Sequence, residues 1–271
     1  MKSDYACQQK NYGHPCFSSQ AHNNVGRMHL PVAPKCNIKC NYCTRRHDCA
    51  NENRPGVTNK VIRPDEALEL VRKVIAKDSR IRVVGIAGPG DPLSNEATFE
   101  TFRLIHQEFP ELIKCLSTNG LLLPDRLDDL LEVGVNSLTV TINAFNSWVG
   151  SKIYSYVKYK GKLFHSEDAA GILSCNQLLG VESAIKRGFK LKVNSVLIPG
   201  INDKELPELA SLLKGFGVQL MNIMPLIPQA DFVHIPSPSA STLNQIRDAC
   251  EQIIPQFRHC RQCRADAVGL L

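Results

Sequence analysis

The amino-acid sequence predicts an α/β fold built on a parallel sheet, and three observations support this class. Short apolar runs alternate along the chain with amphipathic stretches of helical period. Prolines stand just before several of these stretches, where the first turn of a helix tolerates them. The 271 residues are enough for one large domain with a sizeable core. Since strands that alternate with helices form βαβ units, the strands are expected to pair in parallel.

Six such units can be placed along the chain. They fit a curved, partly open barrel, and they equally fit a doubly wound sheet, because periodicity alone does not separate the two. The stretch 143–165 is too long for a simple loop, and we expect an insertion that forms a lid. The predicted strands are 28–32, 81–87, 113–117, 137–142, 190–198 and 219–227, and the predicted helices are 65–77, 95–108, 125–133, 168–187, 205–214 and 239–254.

Charge and hydropathy exclude two classes of partner. The formal net charge is +6, but no basic block with interleaved aromatic residues indicates a nucleic-acid binder. The first ten residues are polar, unlike a secretory signal, and no apolar run approaches the roughly 18 residues of a membrane span. We therefore expect a cytoplasmic protein with neither a nucleic-acid nor a membrane partner.

Clustered cysteines carry the strongest chemical signal. The chain has 11 cysteines, and in a reducing cytosol clustered thiols indicate metal binding or redox chemistry more often than disulfides. Cys36, Cys40 and Cys43 follow the first predicted strand on one short loop. Three thiolates at this spacing can bind three irons of a cubane and leave the fourth iron open. Structural zinc sites use four closed ligands, and ferredoxin motifs have other spacings with a fourth cysteine.

This cysteine motif resembles that of the radical SAM superfamily, and the resemblance extends over about residues 28–226. It implies a partial (β/α)6 TIM-like barrel, with cysteine-bearing extensions at both ends. It also implies that a [4Fe-4S] cluster on these catalytic cysteines binds S-adenosylmethionine (SAM) and cleaves it to a 5′-deoxyadenosyl radical. Tyr42 would pack near the adenine.

Sites in parallel barrels lie at the carboxyl ends of the strands. Glycine-rich and polar residues follow the predicted strands there, and we predict that they bind SAM. The alternative is that 88–92 and 118–120 are ordinary turns. The residues are Gly88, Gly90, Asp91, Thr118, Asn119, Asn143, Asn194 and Ser195.

Further motifs resemble one branch of this superfamily, the enzymes that make the precursor of the nitrogenase iron–molybdenum cofactor. These motifs are 26–30, 36–43, 48–52, 54–57, 87–93, 193–200 and 259–269. The resemblance implies that two [4Fe-4S] clusters are fused into an eight-iron cluster. A carbide derived from the SAM methyl group is inserted, and one sulfur is added.

The same resemblance assigns ligands to the two substrate clusters. Cys16, Cys260 and Cys263 would hold one of them. Cys49 and Cys115 would hold the other together with a histidine, since neutral imidazole is a reasonable third ligand.

The histidine has two candidates, His22 and His29. We favour His22, because His29 begins the first predicted strand, where a packing role is expected. Glu52 is predicted to move protons during carbide formation, with a solvated surface carboxylate as the alternative.

The predicted partition is an N-terminal extension (1–27), a barrel core (28–256) and a C-terminal tail (257–271). A cofactor-carrier domain found in some relatives is expected to be absent, so the product would pass to a separate carrier or scaffold protein. Further expected partners are a cluster donor and an electron donor. The alternatives are another radical SAM maturase of the molybdopterin cyclase or peptide-modifying type, a non-enzymatic iron–sulfur scaffold, and a zinc-dependent nucleic-acid binder.

Overall fold

The computed structural model describes residues 13–18, 21–46, 48–49, 60–260 and 263–270. The strands are β1 (Gly26–His29), β2 (Ile38–Cys40), β3 (Ile81–Ile86), β4 (Ile113–Thr118), β5 (Val135–Thr141), β6 (Tyr154–Tyr159), β7 (Lys162–Phe164), β8 (Lys190–Leu197), β9 (Leu220–Pro225) and β10 (Val268–Gly269). The helices are α1 (Pro64–Lys77), α2 (Glu96–Glu108), α3 (Leu123–Glu132), α4 (Ser147–Ile153), α5 (Ser166–Lys186), α6 (Leu206–Gly215) and α7 (Ala240–Glu251). Short 3₁₀ turns lie at Pro92–Ser94 and Ala230–Phe232.

The main sheet has seven strands in the order β10-β1-β3-β4-β5-β8-β9. Every pair from β1 to β9 is parallel, and these six strands are the six that the sequence predicts. Their order in space follows their order in the chain. A doubly wound sheet reverses its strand order near the middle, so the structure confirms the curled partial barrel.

Helices cover the outer face of this sheet. In α3, the side chains of Leu123, Leu127 and Leu130 are buried at helical spacing and join one apolar cluster with Leu116 of β4 and Leu138 of β5. An amphipathic helix of this length gains most of its stability from such burial.

The inner face of the sheet is polar. Because successive strand residues point to opposite faces, the residues that alternate with the buried apolar ones point inward. Cys115 pairs in register with Gly85 on one side and with Ser137 on the other, and Asn194 pairs with Asn222. A half-barrel with a polar interior has room for a polar ligand instead of a packed core.

The insertion at 143–165 is folded. It contains α4, β6 and β7, and β6 pairs antiparallel with β2, which places Tyr154 opposite Cys40. A lid was expected, whereas the structure shows a hairpin hydrogen-bonded to the loop that carries Cys36, Cys40 and Cys43, here called the cysteine loop. This pairing orients the loop.

The C-terminal tail adds an edge strand. β10 pairs antiparallel with β1. Arg27 donates hydrogen bonds from Nη1 to the carbonyl oxygens of Gly269 (2.7 Å) and Leu270 (3.2 Å). The tail thus lies against the first strand of the barrel. No helix in the described part of the chain is long and apolar enough to cross a membrane.

Candidate functional site

The cysteine loop follows β1 in the chain and includes the short strand β2. Cys40 is buried, and Cys36 and Cys43 are half-buried. The backbone N–H of Cys43 donates to the Cys40 carbonyl (3.0 Å), which closes a tight turn between two of the thiols. Burial raises the pKa of Cys36 to about 11; Asp91 adds to this rise, and the Arg45 guanidinium opposes it. The loop therefore places three thiols near the Arg45 cation, which favours the thiolate form of Cys36.

The glycine-rich loop after β3 packs against the backbone that leads into Cys36. Gly90 donates its N–H to the carbonyl of Ala33 (2.6 Å), and Asp91 donates to that of Lys35 (2.8 Å). A Cβ on residue 90 would lie 2.2 Å from the Lys35 oxygen. Glycine is required there by close backbone approach. The predicted binding of SAM by Gly90 and by Gly88, whose φ of 145° suits glycine, stays a prediction.

The carboxylate of Asp91 has protein partners on several sides. It accepts hydrogen bonds from the hydroxyl of Thr118 (2.9 Å), the N–H of Asn119 (2.6 Å) and the N–H of Leu93 (3.0 Å). Burial raises the pKa of Asp91 to about 6, and these hydrogen bonds oppose the rise. Asp91 and Thr118, both predicted to contact SAM, thus bond to each other because a buried carboxylate needs donors. They tie the end of β4 to the glycine-rich loop.

Asn119 lies beside the first cysteine of the loop. Its Nδ2 donates to Oδ1 of Asn37 (2.7 Å) and lies 3.8 Å from the Cys36 sulfur. The structure therefore brings this predicted residue to the cysteine loop.

A buried polar network joins the cysteine loop to the ends of β5 and β8. Asn143 donates from Nδ2 to the Tyr42 hydroxyl (2.6 Å) and accepts from the Val196 N–H (2.8 Å). Ser195 donates its hydroxyl to the carbonyl of Ile142 (2.5 Å). The sequence predicts these polar side chains as SAM contacts, and the structure shows that they also position one another.

Asn222 on β9 was missed by sequence analysis. It is fully buried and donates from Nδ2 to Oδ1 of Asn194 (3.0 Å), while its own Oδ1 has no hydrogen-bond partner among the described residues. An orphaned buried acceptor on the inner face is a candidate ligand contact. The signal was present, since an asparagine interrupts an apolar strand there just as Asn194 does on β8.

His29 and Cys115 meet around Gly85, which lies between them on β3. A Cβ on Gly85 would lie 2.8 Å from the sulfur of Cys115 and 3.0 Å from Cδ2 of His29. Nδ1 of His29 lies 3.0 Å from the Arg264 carbonyl, which accepts its proton and leaves Nε2 with a free lone pair. Burial lowers the pKa of His29 to about 4, so the imidazole is neutral at pH 7. This is the ligand form of histidine, oriented by a carbonyl as in many metal sites.

The contacts of His22 lie elsewhere. Its ring packs against the rings of Phe257 and His259, with centroids 6.3 and 5.8 Å away. The structure therefore favours His29 over the preferred His22 as the neighbour of Cys115, and which of the two is the ligand stays a prediction. The position of His29 at the start of a strand suggested packing, but the absent side chain of Gly85 leaves room for a ligand.

Cys16 lies near thiols of both predicted sets. Burial raises the pKa of Cys115, and the nearby thiols of Cys16 and Cys263 add to this rise. Burial likewise raises the pKa of Cys16 to about 11. Cys16 therefore lies near Cys115, in addition to its predicted neighbours in the tail.

The loop that carries Cys49 contacts the tail. Asp48 accepts the N–H of Ala265 (3.1 Å), and Arg27 donates from Nη2 to the sulfur of Cys263 (2.7 Å). These contacts favour a ligand set in which Cys49 is grouped with the tail thiols Cys260 and Cys263.

No three His, Cys, Asp or Glu side chains among the described residues are close enough to hold a single metal ion. Glu52 lies outside the described residues.

Comparison with known proteins gives the family. The sequence model of the radical SAM superfamily matches residues 30–213. The FeMo cofactor biosynthesis protein NifB of Methanocaldococcus infernus is 44% identical over 95% of this chain and 85% of its own length. The chain belongs to the NifB family of the radical SAM superfamily. The NifB of Klebsiella pneumoniae is 46% identical over 95% of this chain.

This chain spans 57% of the Klebsiella pneumoniae NifB and 51% of the NifB of Herbaspirillum seropedicae. Among solved structures, Streptococcus suis SuiB bound to S-adenosylmethionine superposes with a TM-score of 0.59 at 14% identity, covering 86% of this chain and 52% of SuiB. That likeness shows the shared fold. The family implies a [4Fe-4S] cluster and SAM, and the three-thiol loop and the orphaned acceptor of Asn222 fit them.

Proposed function

We propose that this chain fuses two [4Fe-4S] clusters into the eight-iron precursor of the nitrogenase iron–molybdenum cofactor, with insertion of a carbide from SAM and addition of one sulfur. The observation that supports this most is the inner face of the barrel. A second set of ligands, His29 with Cys115 and the nearby Cys16, faces the same interior as the SAM-type cysteine loop. An enzyme that joins iron–sulfur clusters needs such a second set to hold its substrate.

The chain's own residues have distinct roles in this proposal. A [4Fe-4S] cluster on Cys36, Cys40 and Cys43 would supply the electron for cleavage of SAM. The hydrogen bond from Asn143 to Tyr42 holds the loop in place. The resulting chemistry combines SAM cleavage of the lyase type with methyl transfer.

The two substrate clusters have separate ligand sets. We assign one cluster to Cys16, Cys115 and His29, and the other to Cys49, Cys260 and Cys263. Incomplete ligation by the protein suits clusters that must leave as product. Arg27 supports this arrangement, because it binds both the tail backbone and the Cys263 sulfur. Glu52 as a proton carrier, and a cluster donor, an electron donor and a carrier protein as partners, belong to the same proposal.

Anaerobic reconstitution with iron, sulfide and SAM tests the function. The extracted product should activate a nitrogenase that lacks its cofactor. Replacing Cys36, Cys40 and Cys43 by alanine should abolish formation of both 5′-deoxyadenosine and S-adenosylhomocysteine. Cys175→Ala is the matched control, since that cysteine is exposed on α5. Unchanged SAM turnover in the triple variant would contradict the assignment of the loop.

A second variant separates the enzyme from a passive iron–sulfur scaffold. Replacing Cys16, Cys260 and Cys263 by alanine should keep SAM binding at the primary cluster while product formation and methyl transfer disappear. A scaffold would show no SAM cleavage in any variant. Full product formation without these thiols would refute the mechanism.

A further inference from the structure

Lys192 is a buried cation on the inner face of the barrel. Its side chain belongs to β8, and the residue is only 4% exposed. None of the ion pairs formed among the described residues includes it. Its partner in register on β5 is Thr139, which carries no charge. A buried charge is costly unless an opposite charge compensates it.

The segments that carry the auxiliary thiols converge on this ammonium group. Nζ of Lys192 lies 5.8 Å from the ring centroid of Phe17 and 5.0 Å from that of Phe257. Phe17 directly follows Cys16 in the chain. The two rings come from opposite ends of the sequence and provide a cation–π environment.

Lys192 lies on the face of the sheet that carries Cys115. Cys115 pairs in register with Ser137, and Lys192 pairs with Thr139, two residues further along β5, while Cys16 directly precedes Phe17. As neutral thiols these groups give the ammonium no counter-charge. As thiolate ligands of an iron–sulfur cluster they would do so, because such clusters carry net negative charge.

Arg27, a second cation near these thiols, is already engaged by the tail. It donates to the carbonyls of Gly269 and Leu270 and to the sulfur of Cys263. Lys192 has no such bond among the described residues, so its charge is available to a ligand.

We propose that Lys192 is a positioning residue whose ammonium group retains the anionic substrate cluster held by Cys16, Cys115 and His29. This inference rests on the proposed function. The cluster would supply the negative charge that no ion pair among the described residues gives to Lys192. The charge of this ammonium group is therefore compensated only when the substrate is bound.

The experiment compares Lys192→Met, which keeps the aliphatic stem, with Lys192→Arg, which keeps the charge. Lys190→Met is the matched control, because Lys190 lies two residues earlier on the same strand and face and is half-buried. Each variant is reconstituted with iron and sulfide. Its iron content, its rate of iron release to a chelator and its SAM binding are then measured.

We expect Lys192→Met to release one cubane's worth of iron about tenfold faster than the unaltered protein, since loss of a charge interaction at short range in a protein interior exceeds the free energy of a tenfold change. SAM binding should be retained, and Lys192→Arg and Lys190→Met should release iron at the original rate. Equal release from Lys192→Met and Lys190→Met would overturn the inference.

Two other outcomes are also decisive. Loss of SAM binding together with iron in both Lys192 variants would show a role in folding and overturn the positioning role. An unaltered protein that takes up iron only at the primary cluster would instead refute the proposed function itself, and the inference with it.

Discussion

Gly90→Ala tests whether the glycine-rich loop shapes the cysteine loop. A methyl group at this position would lie 2.2 Å from the carbonyl oxygen of Lys35, 2.6 Å from its carbonyl carbon and 2.7 Å from the oxygen of Pro34. All three atoms belong to the backbone just before Cys36, so no side-chain rotation can relieve the contact. The backbone itself must move.

The magnitude follows from these contacts. Overpacking of this kind costs about 1–3 kcal/mol. Movement of the two segments apart also weakens the hydrogen bonds from Gly90 to Ala33 and from Asp91 to Lys35, each worth about 1 kcal/mol. We expect the free energy of unfolding to fall by about 3 kcal/mol. Displacement of Cys36 should also reduce the iron bound at the primary cluster.

Urea unfolding of the apoprotein measures the first effect, and iron content with SAM binding measures the second. Gly215→Ala is the matched control, because a Cβ there meets no atom within 4 Å. A Gly90→Ala protein with the stability and SAM binding of the control would refute the steric argument.

Three further predictions follow from the site. In the reconstituted protein, His29→Ala should abolish the electron paramagnetic resonance signal of one substrate cluster while His22→Ala preserves it; the reverse result would restore the sequence-based choice. Tyr42→Phe should lower the free energy of unfolding by about 1–3 kcal/mol in urea titrations, because it removes the hydroxyl that accepts a hydrogen bond from the buried Asn143 amide. Stability equal to that of the parent would show that the Tyr154 hydroxyl, which also bonds to Asn143, suffices as the acceptor. Asp91→Asn should remove a pH dependence of the free energy of unfolding. Burial raises the pKa of Asp91 in the folded state from 3.8 to about 6, so between these values the folded chain holds a proton that the unfolded chain has lost. The contribution of Asp91 to stability therefore falls by about 3 kcal/mol as the pH rises from about 4 to 6. An unchanged slope between variant and parent over that range would contradict this assignment.

The predicted strands agree with the structure where they are apolar runs bounded by turns. Runs 81–87 and 190–198 correspond to β3 and β8 within one residue at each end. The signal is local there, because a strand buried by helices needs a continuous apolar face. The prolines at the starts of α1 and α3 likewise marked helix beginnings.

The short strands had no such signal. β2, β6 and β10 are strands only because each finds a partner, and strand preference depends on that context more than on the residue itself. Two residues, Val268 and Gly269, cannot show a period. The insertion was therefore located by its length, while its pairing with the cysteine loop was not predictable.

The sequence by itself determined the parallel βα architecture and the loop of three cysteines, because both depend on the spacing of residues over short stretches of the chain. It also marked Asn194 as an unusual polar residue in an apolar strand. The partners of these residues were not encoded locally. Asp91 and Thr118 satisfy each other across the ends of two strands, which spacing does not reveal.

Only the tertiary structure decided which histidine lies beside Cys115. Register places His29, Gly85 and Cys115 in one row across β1, β3 and β4. Because residue 85 has no side chain, the imidazole and the thiol both reach the space above it. That meeting depends on hydrogen bonds between strands distant in sequence and on the lack of a Cβ atom at Gly85. Neither produces a periodic pattern of residues along the chain.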